Sequence, residues 1–492
     1  MTPRTALFLL VFVSSAFFYQ AGGWNQNSRF ALVRAITNEH SLRIDPFQAS
    51  TGDKAFFDGH YYSDKAPGVA FAATPAVLVA RPILHAFGGD AESYGGIALL
   101  SYVSTVATSG LLTALAAVVL CGVCVSLGAS ESGGLFAGLA YGLASPMWPL
   151  ATLFLGHAIS AACLVIAFGA AVSIDAGRAG AARRVGVTIG MGAGWATVSE
   201  FPAAIPAAII AMLAALLAWH RLERRDAIRL VATLTVGALA CAALLMAYQY
   251  ACFGSPFHIA YTSEQGFEGM QQGFFGVRTP TLARLWHILF GLYRGLLPLA
   301  PACALAPVGF ARLYRRHPHS RSATMAAAAI AAYYVLLNAS YEYWEGGWSY
   351  GPRHLSPAIP FLAIGLGELW TTASRAMRVL LGTLSAWAVA LALVATATMA
   401  QPPAQYDRPL TDLLIPAFRD GDLSLNPQRF TDGGVNSGAL RLHADPKAAW
   451  NLGMILGLDG LPSLVPLFAV WLSLVFSVSA RARSRAGSSS TD

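Results

Sequence analysis

The chain has 492 residues, 55% of them hydrophobic and only 12% charged, with a mean hydropathy of +0.53. A composition this apolar excludes a soluble globular protein and describes an integral membrane protein, with apolar runs long enough to cross about 30 Å of hydrocarbon recurring from end to end. The net charge of +7 does not indicate nucleic acid, because the arginines stand in short loops between apolar segments, where they set orientation in the bilayer.

In chain order, Arg4, the apolar run Ala6 to Phe18 and a few small residues form a first, uncleaved membrane helix, although the same pattern resembles a signal peptide. Either reading places Trp24 outside the cytoplasm. A polar stretch, Trp24 to Gly68, follows and carries five carboxylates, Glu39, Asp45, Asp53, Asp58 and Asp64, together with Arg29, Arg34, His60 and Lys65. Within it Phe30, Val33 and Ile36 recur at helical spacing, which predicts a short helix on the membrane surface, with Arg29, Asn38 and Glu39 facing elsewhere.

Basic clusters at Arg4, Arg178 to Arg184, Arg221 to Arg225, Arg312 to Arg321, Arg375 with Arg378, and Arg481 to Arg485 fix the topology if all stay on one side. Spans at roughly 5–22, 97–127, 132–145, 156–175, 186–198, 203–219, 228–251, 285–311, 323–340, 355–373, 378–399 and 462–480 satisfy that condition. The expected fold is therefore an all-α polytopic membrane protein of about 12 transmembrane helices, with both termini cytoplasmic and a large first extracytoplasmic loop over 24–95. Counting Val69 to Phe87 as a span would invert every later loop, so this piece, which holds Pro75, Arg81, Pro82 and His85, is expected to lie at the interface or to re-enter without crossing. A catalytic module over 1–399 is then followed by an outer insert over 400–460, a last span over 461–480 and a disordered basic and Ser-rich tail over 481–492. The six cysteines sit in or beside apolar runs and read as small core residues.

Chemistry concentrates on the outer face. Asp64-Lys65 precedes Pro67-Gly68, a pair that fixes a turn and starts a helix, so Lys65 is placed near a helix N-terminus, where anions bind. Asp45-Pro46 is likewise flanked by turn-forming residues that hold a side chain in place. The segment Tyr341 to His354 interleaves aromatic rings and glycines with Glu342, Glu345, Arg353 and His354. Rings such as Trp348 and Tyr350 stack on sugar faces and carboxylates accept sugar hydroxyls, although an aromatic belt at the interface has a similar composition. Glu200 sits between two short apolar segments, a place where an ionisable group is a functional candidate, and His157 and Arg294 are similar cases near the outer edge.

These features resemble the GT-C superfamily of membrane glycosyltransferases, which includes protein O-mannosyltransferases and lipid A aminoarabinose transferases. The likeness rests on Asn25 to Arg29, Tyr62 to Gly68, Phe253 to Phe257, Gly346 to Arg353 and Asn451 to Gly453, in corresponding order along the chain. The resemblance implies a polyprenyl-phosphate-linked sugar as donor, a lipid, glycan or protein acceptor at the outer face of a bacterial inner membrane, and inversion at the sugar carbon. By position Lys65 matches the family's lysine that contacts the lipid phosphate; the residues themselves add Arg29, Arg294, Arg353 and His354 as candidate phosphate or lipid-carrier contacts and Glu200, Glu342, Glu345, Trp348, Tyr350 and His157 as candidate sugar or acceptor contacts. One departure stands out: Asn25, Gln26 and Asn27 occupy the place of the family's first acidic residue, and amides cannot act as a base. The carboxylate role then falls to Asp64 or Asp45, with Asp53 and Asp58 as further candidates. A divalent cation, Mg²⁺ or Mn²⁺, suits scattered carboxylates, but no ligand spacing marks one. Two other readings compete: a transporter or flippase of lipid-linked saccharide, and a non-catalytic assembly partner of the cell envelope.

Overall fold

The computed structural model describes residues 1–174, 181–426 and 449–488; Arg178, the part of the outer insert over 427–448 and the last four residues lie outside the described residues. The chain is a helical, multi-pass membrane protein. Helix α1, Pro3–Ala16, starts with Pro at its first position and the Thr2 hydroxyl accepting from the Thr5 amide, which satisfies a helix-end donor. Strand β1, Phe18–Gln20, leads into α2, Trp24–Glu39, and a β-hairpin of β2, Lys54–Phe57, and β3, His60–Ser63. Helix α3, Gly68–Ala86, precedes α4, Tyr94–Leu127, which contains one π turn at Val106–Gly110. The bundle continues with α5, Glu131–Gly142; α6, Gly156–Val172; α7, Ala182–Ser199; α8, Ala204–Arg221; and α9, Arg224–Phe253. It closes with α10, Leu282–Phe290; α11, Ala306–Arg316; α12, Arg321–Ser340; α13, Ile359–Thr372; α14, Arg375–Thr398; strand β4, Ala449–Asn451; and α15, Val465–Ser488.

Lipid supplies no hydrophobic drive between helices, so close backbone approach at small residues does that work. Gly309 on α11 meets Gly365 on α13 so closely that a Cβ added at Gly309 would lie 1.8 Å from the Gly365 carbonyl oxygen.

The two ends of the bundle differ in chemistry. At one end Arg4 pairs with Glu131 at 2.7 Å, Arg221 donates to the Ile174 and His319 carbonyls, and Arg378 donates to the Trp370 and Thr371 carbonyls. The other end carries α2, the hairpin and the loops over 254–281 and 341–355. There β1 and β4 pair antiparallel, Tyr19 opposite Trp450, which ties the end of the outer insert to the residues that follow α1.

Seven helices among the described residues are long and apolar enough to cross a membrane, fewer than the twelve spans expected. Six expected spans are missing: α1 and α13 have 14 residues each, α5 has 12 and α6 has 17, the expected span over 285–311 is divided into α10, two short turns and the start of α11, and α7, with 18 residues, carries Arg183 and Arg184 in its first turn and falls short in hydropathy. The seven include α3, by length and composition. Its contacts nevertheless keep it at one end of the bundle. Gly68 abuts the Ser199 backbone at the end of α7, and Arg81 hydrogen-bonds the Thr37 carbonyl and Asn38 on α2. Beyond α3 the Tyr102 hydroxyl of α4 donates to the Ala16 carbonyl at the end of α1, at 2.7 Å, so the chain re-enters the bundle where it left it.

The first loop contains the β2–β3 hairpin beside its helices. Two expectations need correction. Helix α2 is not a short surface helix: it has 16 residues and buries Gln26, Asn27, Ser28 and Arg29 as well as its apolar positions. The tail expected to be disordered from Arg481 continues as helix α15 through Ser488, because nothing helix-breaking precedes Gly487.

Candidate functional site

Helix α2, the hairpin, the start of α6, the end of α7 and the two long loops surround a cavity of about 420 Å³. Trp24, Tyr261, Phe267, Tyr341, Tyr343 and Trp348 supply its aromatic walls. Its charged groups fall into two sets.

The acidic set centres on Lys65. The Lys65 ammonium lies 2.5 Å from Asp64, 3.1 Å from Asp53 and 3.9 Å from Glu264. Asp64 is fully buried and also accepts from the Ser28 hydroxyl of α2, whereas Asp53, Lys65 and Glu264 line the cavity. Pro67 caps α3 directly after this pair, as the sequence pattern requires, and fixes where Lys65 emerges. Burial would lower the Lys65 pKa, but Asp53 and Asp64 outweigh it and raise it well above the ordinary lysine value. Burial lifts Asp53 above the usual carboxylate range, opposed by Lys65, and pushes Glu264 up to about 9, with Asp64 adding to the shift. One ammonium thus serves three carboxyl groups whose oxygens lie within 4.8 Å of one another. A divalent cation at this point would have to displace Lys65, which already occupies the cation's place.

The basic set faces the other half of the cavity. Arg29 of α2 pairs with Glu200 at 2.7 Å and braces on the Ala66 carbonyl and the Asn25 side chain. His157 stands 3.7 Å from the same Glu200 oxygen. Gly156 is the residue that admits this pair: a Cβ there would lie 2.1 Å from Glu200 Oε1. Arg353 has a different standing. Among the described residues no carboxylate lies within ion-pair distance of it, and its buried Nε has no hydrogen-bond partner. Burial pulls its pKa below the ordinary arginine value, and the group stays cationic. His354 beside it also has a buried, unpartnered Nε2, and its ring packs edge-on to that of His157, 5.3 Å between centroids. Gly346 and Gly347 adopt left-handed backbone, and a Cβ at Gly346 would lie 2.8 Å from the Arg353 side chain, so the glycines let the loop fold over the guanidinium.

The candidates read from the sequence are therefore divided by the structure. Lys65, Arg29, Arg353, His354, Glu200, Glu345, Trp348 and His157 line the cavity, and Asp64 stands directly behind Lys65. The others do not line it. Asp45 is spent on local structure, accepting from His60 Nδ1 at 2.8 Å and the Tyr61 amide at 2.6 Å. Asp58 is the exposed first residue of the Asp58-Gly59 hairpin turn, with φ values of 48° and 79°, where Asp-Gly is favoured for its left-handed backbone. Glu342 pairs with Arg284 at 2.9 Å on the outer side of its loop. Tyr350 packs in a small apolar cluster with Leu299, Leu391 and Met399. Arg294 is fully buried, stacks 4.0 Å above the Tyr293 ring and donates to the Gly347 carbonyl, so it supports the glycine loop from behind. Glu264 escaped the sequence reading. It sits in an irregular loop and reaches the site through a single β-bridge to Ala55. The available signal was a carboxylate among aromatic residues, Tyr261 to Phe267, in a loop already placed on the outer face.

No protein-family model and no curated protein sequence matches the chain. Solved structures do. ArnT from Cupriavidus metallidurans bound to undecaprenyl phosphate superposes with a TM-score of 0.51 at 15% identity, over 84% of this chain and 67% of that one. The same protein in the apo state gives 0.51 at 14% identity, over 96% and 75%. The chain shares the fold of ArnT. An archaeal oligosaccharyltransferase, AglB from Archaeoglobus fulgidus, is also similar, with a TM-score of 0.42 at 12% identity over 88% of this chain and 56% of that one.

Proposed function

We propose that this protein is a glycosyltransferase of the bacterial inner membrane that moves a sugar from a polyprenyl-phosphate carrier to an acceptor at the extracytoplasmic face. The observation that carries the reading is the half-buried Arg353, its Nε enclosed and without a hydrogen-bond partner, facing Asp53 and Lys65 across one aromatic-walled cavity. A half-buried cation that has no carboxylate within ion-pair distance and faces a cavity is placed to receive an anionic ligand. A phosphodiester supplies one negative charge and planar oxygen pairs that suit a guanidinium. ArnT, which shares the fold, has been solved with undecaprenyl phosphate.

In this reading Arg353 and His354 take the phosphate, Arg294 holds the glycine loop over it, and the rings of Trp24, Tyr343 and Trp348 stack on the sugar. Asp53 accepts the proton of the acceptor hydroxyl, the acceptor oxygen bonds to the anomeric carbon, and the bond from that carbon to the phosphate oxygen breaks. The carrier leaves as polyprenyl phosphate with the additional negative charge, which Arg353 stabilises as it develops. Asp53 suits a base because burial raises its pKa, while the Lys65 ammonium 3.1 Å away favours its ionised form. Glu200 is held by Arg29 and His157 and orients sugar hydroxyls. Arg29, Lys65 and Asp64 act as the fixed frame.

The test is a structure determined with undecaprenyl phosphate. Phosphate density within hydrogen-bond reach of Arg353 supports the assignment, and lipid phosphate bound elsewhere on the protein refutes it.

A further inference from the structure

Glu264 is the third carboxyl group around Lys65 and belongs to a different element from the other two. Its side chain is 3% exposed, and its Oε2 has no hydrogen-bond partner. The charged and titratable groups facing it are Asp53 before β2, Asp64 and Lys65 after β3, Tyr341 on the neighbouring loop and Tyr261 on its own, with Arg353 beyond Asp53. Lys65 contacts Asp64 and Asp53 at hydrogen-bond distance, while Glu264, at 3.9 Å, is the carboxyl group it compensates least. Two buried carboxylates already outnumber the single ammonium, and a third ionised one at this spacing is disfavoured both by burial and by its neighbours' charge.

We propose that Glu264 is a positioning residue that works as a neutral acid, carrying a proton at physiological pH so that Lys65 stays centred on Asp53 and Asp64 and Asp53 is left as the ionised base of the site. This rests on the assignment of Asp53 above. The backbone ties Glu264 to the hairpin, through its bridge to Ala55 and the Gln265 amide donating to the Lys54 carbonyl, so its protonation also fastens the loop over 254–281 to the cavity wall. Ionisation of Glu264 draws Lys65 away from Asp53 and sets the loop against the two aspartates.

The sign of the pH effect follows. Glu264 binds its proton more tightly in the folded protein than in the unfolded one, so stability falls as pH rises from the ordinary glutamate value of 4.5 to about 9, then levels off. Thermal unfolding of the purified full-length protein is followed at pH steps between these limits for wild type and Glu264→Gln, the uncharged near-isostere of the protonated acid. The expected result is that Glu264→Gln matches wild type at the acidic end and becomes progressively more stable than wild type toward pH 9. A difference between the two that is constant with pH overturns the proposal. In wild-type protein alone, infrared spectroscopy is expected to show a protonated carboxyl band that disappears with a midpoint near pH 9; absence of any such band at neutral pH also overturns it. Neither measurement involves sugar transfer, so failure of the glycosyltransferase reading would appear separately, as a wild-type protein with this titration and no transfer.

Discussion

At the scale of single residues, function rests on how each charge is partnered. Arg29 and Lys65 are committed to carboxylates, and Arg353 is not, which singles it out as the anion-binding cation. Arg353→Ala is expected to weaken undecaprenyl phosphate binding about 10- to 100-fold, from the loss of a charge-assisted hydrogen bond worth about 1.5–3 kcal/mol. Quenching of the cavity tryptophans on titration with the lipid measures this, and an unchanged affinity would move the phosphate elsewhere. Asp53→Asn is expected to lower the transfer rate by about 10²- to 10⁴-fold, the usual contribution of a general base, with lipid phosphate affinity retained. Asp45→Asn and Asp58→Asn are expected to leave the rate within about two-fold, since both groups are taken up by turn structure outside the cavity. The residue chemistry was only partly legible in the sequence. Asp64-Lys65 stood out because Pro67-Gly68 fixes the backbone after it. Asp45 was misleading for a related reason: the turn that holds it directs its oxygens to His60 and the Tyr61 amide. Glu264 was silent because its position depends on a bridge between segments about two hundred residues apart, which no local pattern encodes.

At the scale of elements, the cavity depends on where helices stop. Helix α7 ends at Ser199 and α6 begins at Gly156, and between them Glu200 meets His157 and Arg29. Gly156→Ala places a methyl group onto the Glu200 carboxylate and is expected to destabilise the protein by about 1–3 kcal/mol, as overpacking does. A lowered midpoint of thermal unfolding in detergent checks this; an unchanged midpoint would mean that the Arg29–Glu200 pair is free to shift. Helix α3 carries the other element-scale prediction. Apolar length alone qualifies it to span, whereas the loop arginines and its contacts with α2 lead us to expect both its ends on one side of the membrane. Ser93→Cys and Asp58→Cys are expected to react with a membrane-impermeant maleimide from the same side, and Ser374→Cys from the opposite side. The six native cysteines are buried, which keeps the background low. Labelling of residues 58 and 93 from opposite sides would make α3 a crossing helix.

At the scale of the whole molecule, apolar runs and arginine-bearing loops were sufficient to read a helical membrane protein with its chemistry at one end, because hydropathy and charge act over many residues at once. The cavity was not readable in the same way. Its lining comes from α2, the hairpin, α6, α7 and two loops, and their meeting is a property of the packed bundle. In the proposed reading the charged lining of the cavity favours transfer over transport, since a conduction path needs ionisable groups through the depth of the bundle. The most direct measurement is made with wild-type protein in proteoliposomes loaded with undecaprenyl-phosphate pentose and hexose, radiolabelled in the sugar, and supplied with membrane and envelope extract as the acceptor pool. The account predicts that label moves into a new covalent product with release of undecaprenyl phosphate, and that Asp53→Asn abolishes both. Passage of the intact labelled lipid across the bilayer with no covalent product, unaffected by Asp53→Asn, would contradict it.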